Sequence, residues 1–425
     1  MRRRDLLTVL GGEMSLPALR VAVGSQQNSP AGLALNYASV PAVLPGDAEA
    51  YFDQKKLREL VDTTKPLPKV DYEVVAYNYP CWHPCSWFQK YFGDGWTQWQ
   101  SLRDSRPLYP GHLFPKYPLW GEYNEADPSW AEREIGTAAL YGIDVWMVCW
   151  YWHEGTQRCH AQLEQGFLKA GNRRRLKFAV MWANHDWTNH WPATSEGKTA
   201  LMSRQRHSEA DMMRVIDYCV EHYFSQPNYW RIQGDLVFGI YSVQSLLRDL
   251  SPDEWKRIAA LMRERVVKAG LGNLHLQASS VTPAVAPKLK ELGFQSATLY
   301  HTLTPLLSTV PKGGRVPYGK LAAQAIPYWR KLRSQCSVPF FPCCSVGWDN
   351  SPRVGASARM VTQRSPDQFE RLMIAAKYFL AETGGETPPI VFLSSWNEWT
   401  EDHVLLPDTV YGFSYLEAVQ RVFGE

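Results

Sequence analysis

Eight short apolar runs punctuate this chain, and they constrain its fold more than any other feature. They cover residues 72–79, 143–152, 177–183, 236–242, 274–279, 297–301, 338–346 and 390–396. Each is too short for a packed helix, rich in β-formers and apolar without alternation, which is the signature of a strand covered on both faces. Between them lie stretches with helical spacing, at 129–141, 208–224, 252–269, 283–292, 321–332 and 367–381. Asp127-Pro128 and Ser251-Pro252 provide a capping side chain followed by a first-turn proline, and Gly142, Gly270 and Gly293 sit where helices should end. Eight strands, each followed by a helical connection, predict a (β/α)8 barrel. The rival is a doubly wound open sheet, but no glycine-rich nucleotide loop follows the first run. No internal repeat is visible beyond the alternation itself.

The same alternation places residues 69–425 in one catalytic domain. Residues 25–68, rich in Pro, Ala, Ser and Gln, read as a linker or surface arm. The start, Met1-Arg2-Arg3-Arg4 followed by a short apolar stretch, resembles a twin-arginine export signal over residues 1–24, which implies a periplasmic or secreted protein. No run is long enough to span a bilayer. A net charge of +3 without basic or acidic tracts argues against nucleic acid or an anionic membrane as partner. No motif implies a cofactor or a metal, and the oligomeric state is not encoded in any visible pattern. Cys149, Cys219, Cys343 and Cys344 lie in apolar runs and read as core residues. Cys81 and Cys85 flank Trp82-His83-Pro84 and read as a local disulfide or, with less support, a metal clip.

In a barrel of this kind the reactive groups come from the C-terminal ends of the strands. Those ends are where polar and aromatic residues gather. The first run ends on Tyr77 and Tyr79 with Trp82 beyond. The second ends on Trp150, Trp152 and His153, and the third on Trp182, Asn184, His185 and Asp186. Tyr241 closes the fourth, His301 the sixth, Trp348 and Asp349 the seventh, and Trp396 and Asn397 the eighth. The chain holds 18 tryptophans, and tryptophan beside Asn, His and Asp suits a surface that stacks on sugar rings and reads their hydroxyls. The long insertions at 82–125 and 184–208 would lie on this same face.

The last run delivers Glu398 and Glu401, three positions apart. In a helical turn such a pair stands roughly 5–6 Å apart. Two carboxylates that close cannot ionise independently, so one should hold a proton while the other stays charged, as acid/base chemistry at a glycosidic bond requires. The bland alternative is two solvated acids opening the last helix.

At these residues the chain resembles the WbsX-type proteins and the related glycoside hydrolase family 99, the endo-α-mannosidases. The likeness runs over residues 95–419. Its anchors are Gly95-Trp96-Thr97-Gln98-Trp99, Pro107-Leu108-Tyr109-Pro110-Gly111-His112, Tyr141-Gly142-Ile143-Asp144, Trp182-Ala183-Asn184 and Trp396-Asn397-Glu398-Trp399-Thr400-Glu401. The resemblance implies a (β/α)8 barrel that cleaves a glycan or polysaccharide α-linkage with retention and needs no cofactor. It implies that Glu398 deprotonates the sugar's own 2-hydroxyl, which attacks the anomeric carbon, while Glu401 protonates the leaving oxygen and later activates water. The chain departs from the pattern at Gln98 and at His185-Asp186, where WbsX-type proteins commonly carry Glu and Glu-Asn, and at Asp402, where a glycine is usual. Two further readings are a glycosyltransferase of polysaccharide synthesis and a non-catalytic carbohydrate-binding barrel.

Overall fold

The computed structural model describes residues 50–153, 155–189 and 200–424. The export-signal reading, most of the arm reading and part of the 184–208 insertion therefore fall outside the described residues.

The eight apolar runs form eight parallel strands: β1 (Glu73–Asn78), β2 (Val145–His153), β3 (Lys177–Trp182), β4 (Asp235–Ile240), β5 (Leu274–Ala278), β6 (Ser296–Ala297), β7 (Cys343–Ser345) and β8 (Ile390–Ser394). Their order across the sheet is β6-β5-β4-β3-β2-β1-β8-β7. The ring closes between β6 and the approach to β7. The Ala297 amide donates to Pro339 O at 2.9 Å, and the Phe341 amide donates to Ala297 O at 2.8 Å. Each strand thus pairs with its sequence neighbours, the topology of a (β/α)8 barrel. The strands are buried along almost their whole length, which is why their sequence does not alternate.

The helices begin and end for local reasons. Helix Pro128–Leu140 starts at Asp127, whose carboxylate accepts the Ser129 amide, and Pro252–Lys268 starts on a reciprocal Ser251/Glu254 capping box. Gly142 and Gly270 follow them at φ of +89° and +71°, a backbone that a side chain would strain.

Three stretches differ from expectation. Residues 283–292 form only one 3-10 turn (Ala286–Lys288), because Pro283 and Pro287 cannot supply helical amides. The connection from β2 to β3 is a π turn, Gln162–Gly166, and a 3-10 turn, Phe167–Lys169. Gly166 there approaches the Glu125 backbone so closely that a Cβ would lie 2.0 Å from its carbonyl oxygen. The body also begins well before residue 69. Phe52, Leu57 and Val61 are buried, and the Phe52 amide donates to Gln368 Oε1 at 2.9 Å. All eight cysteines are thiols, so Cys81 and Cys85 are not bridged.

Candidate active site

Strand parity decides what reaches the mouth of the barrel. Side chains alternate between lumen and helix layer. On β2 the lumen side carries Cys149 and Tyr151, and on β3 it carries Met181, with Ala183 just beyond. These residues, with Tyr79, His185, Asp186, Tyr241, Tyr300, Arg353, Glu398 and Glu401, line a cavity of about 330 Å³. The two insertions supply its aromatic wall: Trp87 and Phe88 after β1, and Trp187 after β3. Phe88 and Trp187 stack at 5.2 Å.

Of the residues proposed from sequence, Tyr79, His185, Asp186, Tyr241, Glu398 and Glu401 meet at this cavity. The others do not line it, and parity or hydrogen bonding explains each correction. Trp150, Trp152 and Trp182 have the opposite parity, and they and Trp396, which lies beyond the end of β8, are buried away from the lumen. Trp150 Nε1 donates to Tyr223 Oη at 3.2 Å, Trp152 Nε1 to Asp211 Oδ1 at 3.1 Å, Trp182 Nε1 to Trp152 O at 3.3 Å, and Trp396 Nε1 to Glu134 Oε1 at 3.0 Å. Tyr77 lies one layer below the cavity, against Tyr300 and Phe392. His153 is buried beside Ser203. Asn184 ties β3 to β4 by accepting the Ser242 amide at 2.8 Å and donating to Ser242 O at 2.9 Å. Asn397 ties β8 to β1 in the same way, through the Tyr79 amide at 2.7 Å and Tyr79 O at 3.0 Å, and Trp82 Nε1 donates to Asn397 O at 2.9 Å.

Asp349, Trp348 and His301 stand behind the site. Asp349 accepts the Ser351 amide at 2.9 Å and so holds the start of the short helix Ser351–Val354, which carries Arg353. Trp348 stacks on His403 at 5.6 Å. His301 Nε2 donates to Gly347 O at 2.8 Å.

The two glutamates are not solvated. A two-stranded ribbon pairs Glu398 with His403, and the 3-10 turn Trp399–Glu401 closes it. Asp402 completes the turn at φ +57°. Left-handed backbone is the reason glycine is usual there; this chain instead anchors the aspartate on Arg364 at 2.7 Å and Lys116 at 3.3 Å. Arg353 bridges the pair. Its Nη2 donates to Glu398 Oε1 at 2.8 Å, its Nη1 pairs with Glu401 Oε1, and its Nε donates to Thr400 Oγ1 at 2.9 Å. The second oxygen of Glu401 accepts from His403 Nε2 at 2.9 Å, while His403 Nδ1 faces Ser394 Oγ at 3.2 Å. Burial keeps His403 below its ordinary value, so it serves as a neutral donor.

These partners push the carboxyls apart. Burial raises Glu398, only partly opposed by Arg353 and reinforced by the Glu401 charge, to about 8. Burial would raise Glu401 too, but Arg353 and the His403 hydrogen bond overcome it and bring it to about 2. The opposed directions favour a single proton shared by the pair at neutral pH, with burial drawing it toward Glu398 and Arg353 and His403 keeping Glu401 charged. Burial also keeps the cavity phenols Tyr79, Tyr151 and Tyr300 neutral. Gln98 does not reach the cavity; its amide donates to Tyr79 Oη and acts through that phenol.

Sequence reasoning missed Arg353, Tyr151, Tyr300 and His403, and the loop aromatics Trp87, Phe88 and Trp187. Tyr151 had a signal, since it sits between two tryptophans on the opposite face of the same strand. Arg353 had none in its own neighbourhood.

The family model described as "Glycosyltransferase WbsX" matches residues 74–419. The protein WxcX of Xanthomonas campestris pv. campestris, described as uncharacterized, is 25% identical over 380 residues, covering 87% of this chain and 52% of that protein. The chain thus spans about half the length of the curated relatives it matches. Among solved structures, the GH99 endo-alpha-mannosidase from Bacteroides thetaiotaomicron superposes with a TM-score of 0.53 at 16% identity, over 84% of this chain and 97% of that one. A glycoside hydrolase-like protein superposes with a TM-score of 0.53 at 15% identity, over 87% and 99%. At such identities the likeness is one of fold.

Proposed function

Because the chain belongs to the WbsX glycosyltransferase family, a family of glycan-processing proteins, we propose that it is a glycoside hydrolase acting on an α-linked glycan with retention. The observation that carries this reading is the pair of buried Glu398 and half-buried Glu401, both held by one arginine at the mouth of an aromatic-walled cavity.

We infer the roles from the opposed directions of the two shifts. Glu398 donates the shared proton to the leaving glycosidic oxygen, and Glu401 is the base. This reverses the order that the family resemblance implies. Both oxygens of Glu401 are engaged, one by Arg353 and one by His403. A carboxylate held so is a weak nucleophile but still a competent proton acceptor. It therefore takes the proton of the sugar's 2-hydroxyl, whose oxygen attacks the anomeric carbon as the glycosidic bond breaks. Glu398, now ionised, draws a proton from water, whose oxygen attacks the anomeric carbon and opens the anhydro intermediate, while Glu401 returns its proton to the 2-oxygen, so that both carboxyls regain their starting states. Two inversions give net retention.

The test is a pair of variants on two substrates. Glu398→Gln and Glu401→Gln should each abolish hydrolysis of the native glycan while folding is unchanged. On an aryl glycoside whose leaving group needs no protonation, Glu398→Gln should recover and Glu401→Gln should not. Recovery of Glu401→Gln instead would restore the opposite assignment, and near-native activity of both on the glycan would end the hydrolase reading.

The family's description favours a second reading, glycosyl transfer by the same pair to a hydroxyl acceptor rather than water. Mass analysis of products formed with and without an added oligosaccharide acceptor separates the two.

A further inference from the structure

The aromatic wall of the active site does not stop at its rim. The helix Ser86–Phe92, which lends Trp87 and Phe88 to the cavity, runs on to Phe92, and Trp96 follows. Ring contacts pass without a break from the cavity outward: Trp187 to Phe88 at 5.2 Å, Phe88 to Trp96 at 5.2 Å and Trp96 to Phe92 at 4.6 Å. The run ends in a second cavity of about 440 Å³. Phe92, Trp96 and Leu108 give it apolar walls, with Leu108 40% exposed. Ser101, on the helix Trp99–Asp104, and Ser351 bring hydroxyls. Ser101 is buried, yet its Oγ meets no hydrogen-bond partner among the described residues. Two charged groups of opposite sign, Asp104 and Arg106, complete the lining. Successive residues of the short helix Ser351–Val354 divide between the two sites. Ser351 and Pro352 line the second cavity, and Arg353 lines the first.

We propose that this second cavity binds a neutral oligosaccharide, the stretch of the glycan that runs on from the unit held at Glu398 and Glu401. The lining sets the class of ligand. Indole and phenyl rings pack on the C–H faces of sugar rings, while hydroxyls, a carboxylate and a guanidinium read the sugar's own hydroxyls. Charges that cancel favour an uncharged polyol over an anion or a cation. A buried hydroxyl without a partner gains one when a sugar hydroxyl arrives. The ring track and the shared helix join this cavity to the first. That join rests on the first cavity being a glycan site; binding at the second does not.

The test is a fluorine NMR titration of the full chain carrying Glu398→Gln and labelled with fluorotryptophan. The substitution keeps the sugar intact, and Trp96→Phe and Trp187→Phe assign the two resonances. The probes are α-linked gluco-, galacto- and manno-oligosaccharides, from mono- to hexasaccharide. In at least one series, short members should move Trp187 alone and longer members should move Trp187 and Trp96 together. Trp96→Ala should then weaken the hexasaccharide about tenfold, the loss of one stacked ring, and leave the disaccharide unchanged. Leu108→Asp, on the exposed rim, should give the same split if Trp96→Ala does not fold. The proposal is overturned by a Trp96 resonance that no member of any series moves, by one that a monosaccharide moves as readily as a hexasaccharide, or by an equal loss of affinity at both lengths. Length-dependent binding without turnover by wild type would leave it standing while the hydrolase reading falls. Turnover by wild type with Trp96 unmoved would do the reverse.

Discussion

Replacing Glu398 by glutamine should make the protein more stable than wild type above neutral pH. Glu398 has a folded pKa of about 8 against an ordinary 4.5. A carboxyl raised in this way costs stability once the pH passes its unfolded value. The folded protein must keep a proton that the unfolded chain releases, and the full cost is reached above the folded value. At about 1.4 kcal/mol per pH unit, the cost is about 1 kcal/mol at pH 5 and about 3 kcal/mol at pH 7. Glutamine keeps the shape and an oxygen for Arg353 and Thr400, the two donors that Glu398 Oε1 accepts at 2.8 and 3.1 Å. It does not titrate, so the cost disappears. Its amide nitrogen, newly buried, offsets part of the gain by about 1 kcal/mol. At pH 8 the cost rises to about 4 kcal/mol, so urea unfolding at pH 5 and pH 8 should give near-equal stabilities at the lower pH and an advantage of about 3 kcal/mol for the variant at the higher. Parallel stability profiles for the two proteins, or a variant weaker at both pH values, would refute the placement of the proton.

The remaining predictions rest on the same cluster. Arg353→Met should cost about 3–5 kcal/mol, because it leaves buried carboxylates without their cation; the acid limb of the pH–rate profile should also move up as Glu401 loses what holds it down. Turnover of wild type needs Glu398 protonated and Glu401 charged, so it should fall as pH rises through about 8 while persisting far into acid, where Glu401 stays ionised to about 2; a loss of activity centred near the ordinary carboxylate range would contradict this. Asp402→Gly relieves a left-handed residue but strips a buried ion pair from Arg364, for a net loss of about 2–3 kcal/mol in denaturant unfolding.

The barrel was legible because burial on both faces writes a plain signal, an unbroken apolar run. The same burial hides which residue of the run faces the lumen, so the sequence points to Trp150 and Trp152 where Tyr151 lines the site. Electrostatic partners were less legible still. Arg353 stands 45 residues before Glu398; only closure of the ring and folding of its loops set them side by side. A physical rule would have separated the tryptophans, however. An indole N–H buried in the helix layer seeks an acceptor there, and the helices provide one for three of these tryptophans: Tyr223 for Trp150, Asp211 for Trp152, Glu134 for Trp396. A barrel-strand tryptophan matched by a polar residue at an otherwise apolar position of a following or preceding helix is outward-facing by that match alone. The lumen then falls to the residues between, and the indoles free to meet a sugar come from the loops, as Trp87 and Trp187 do.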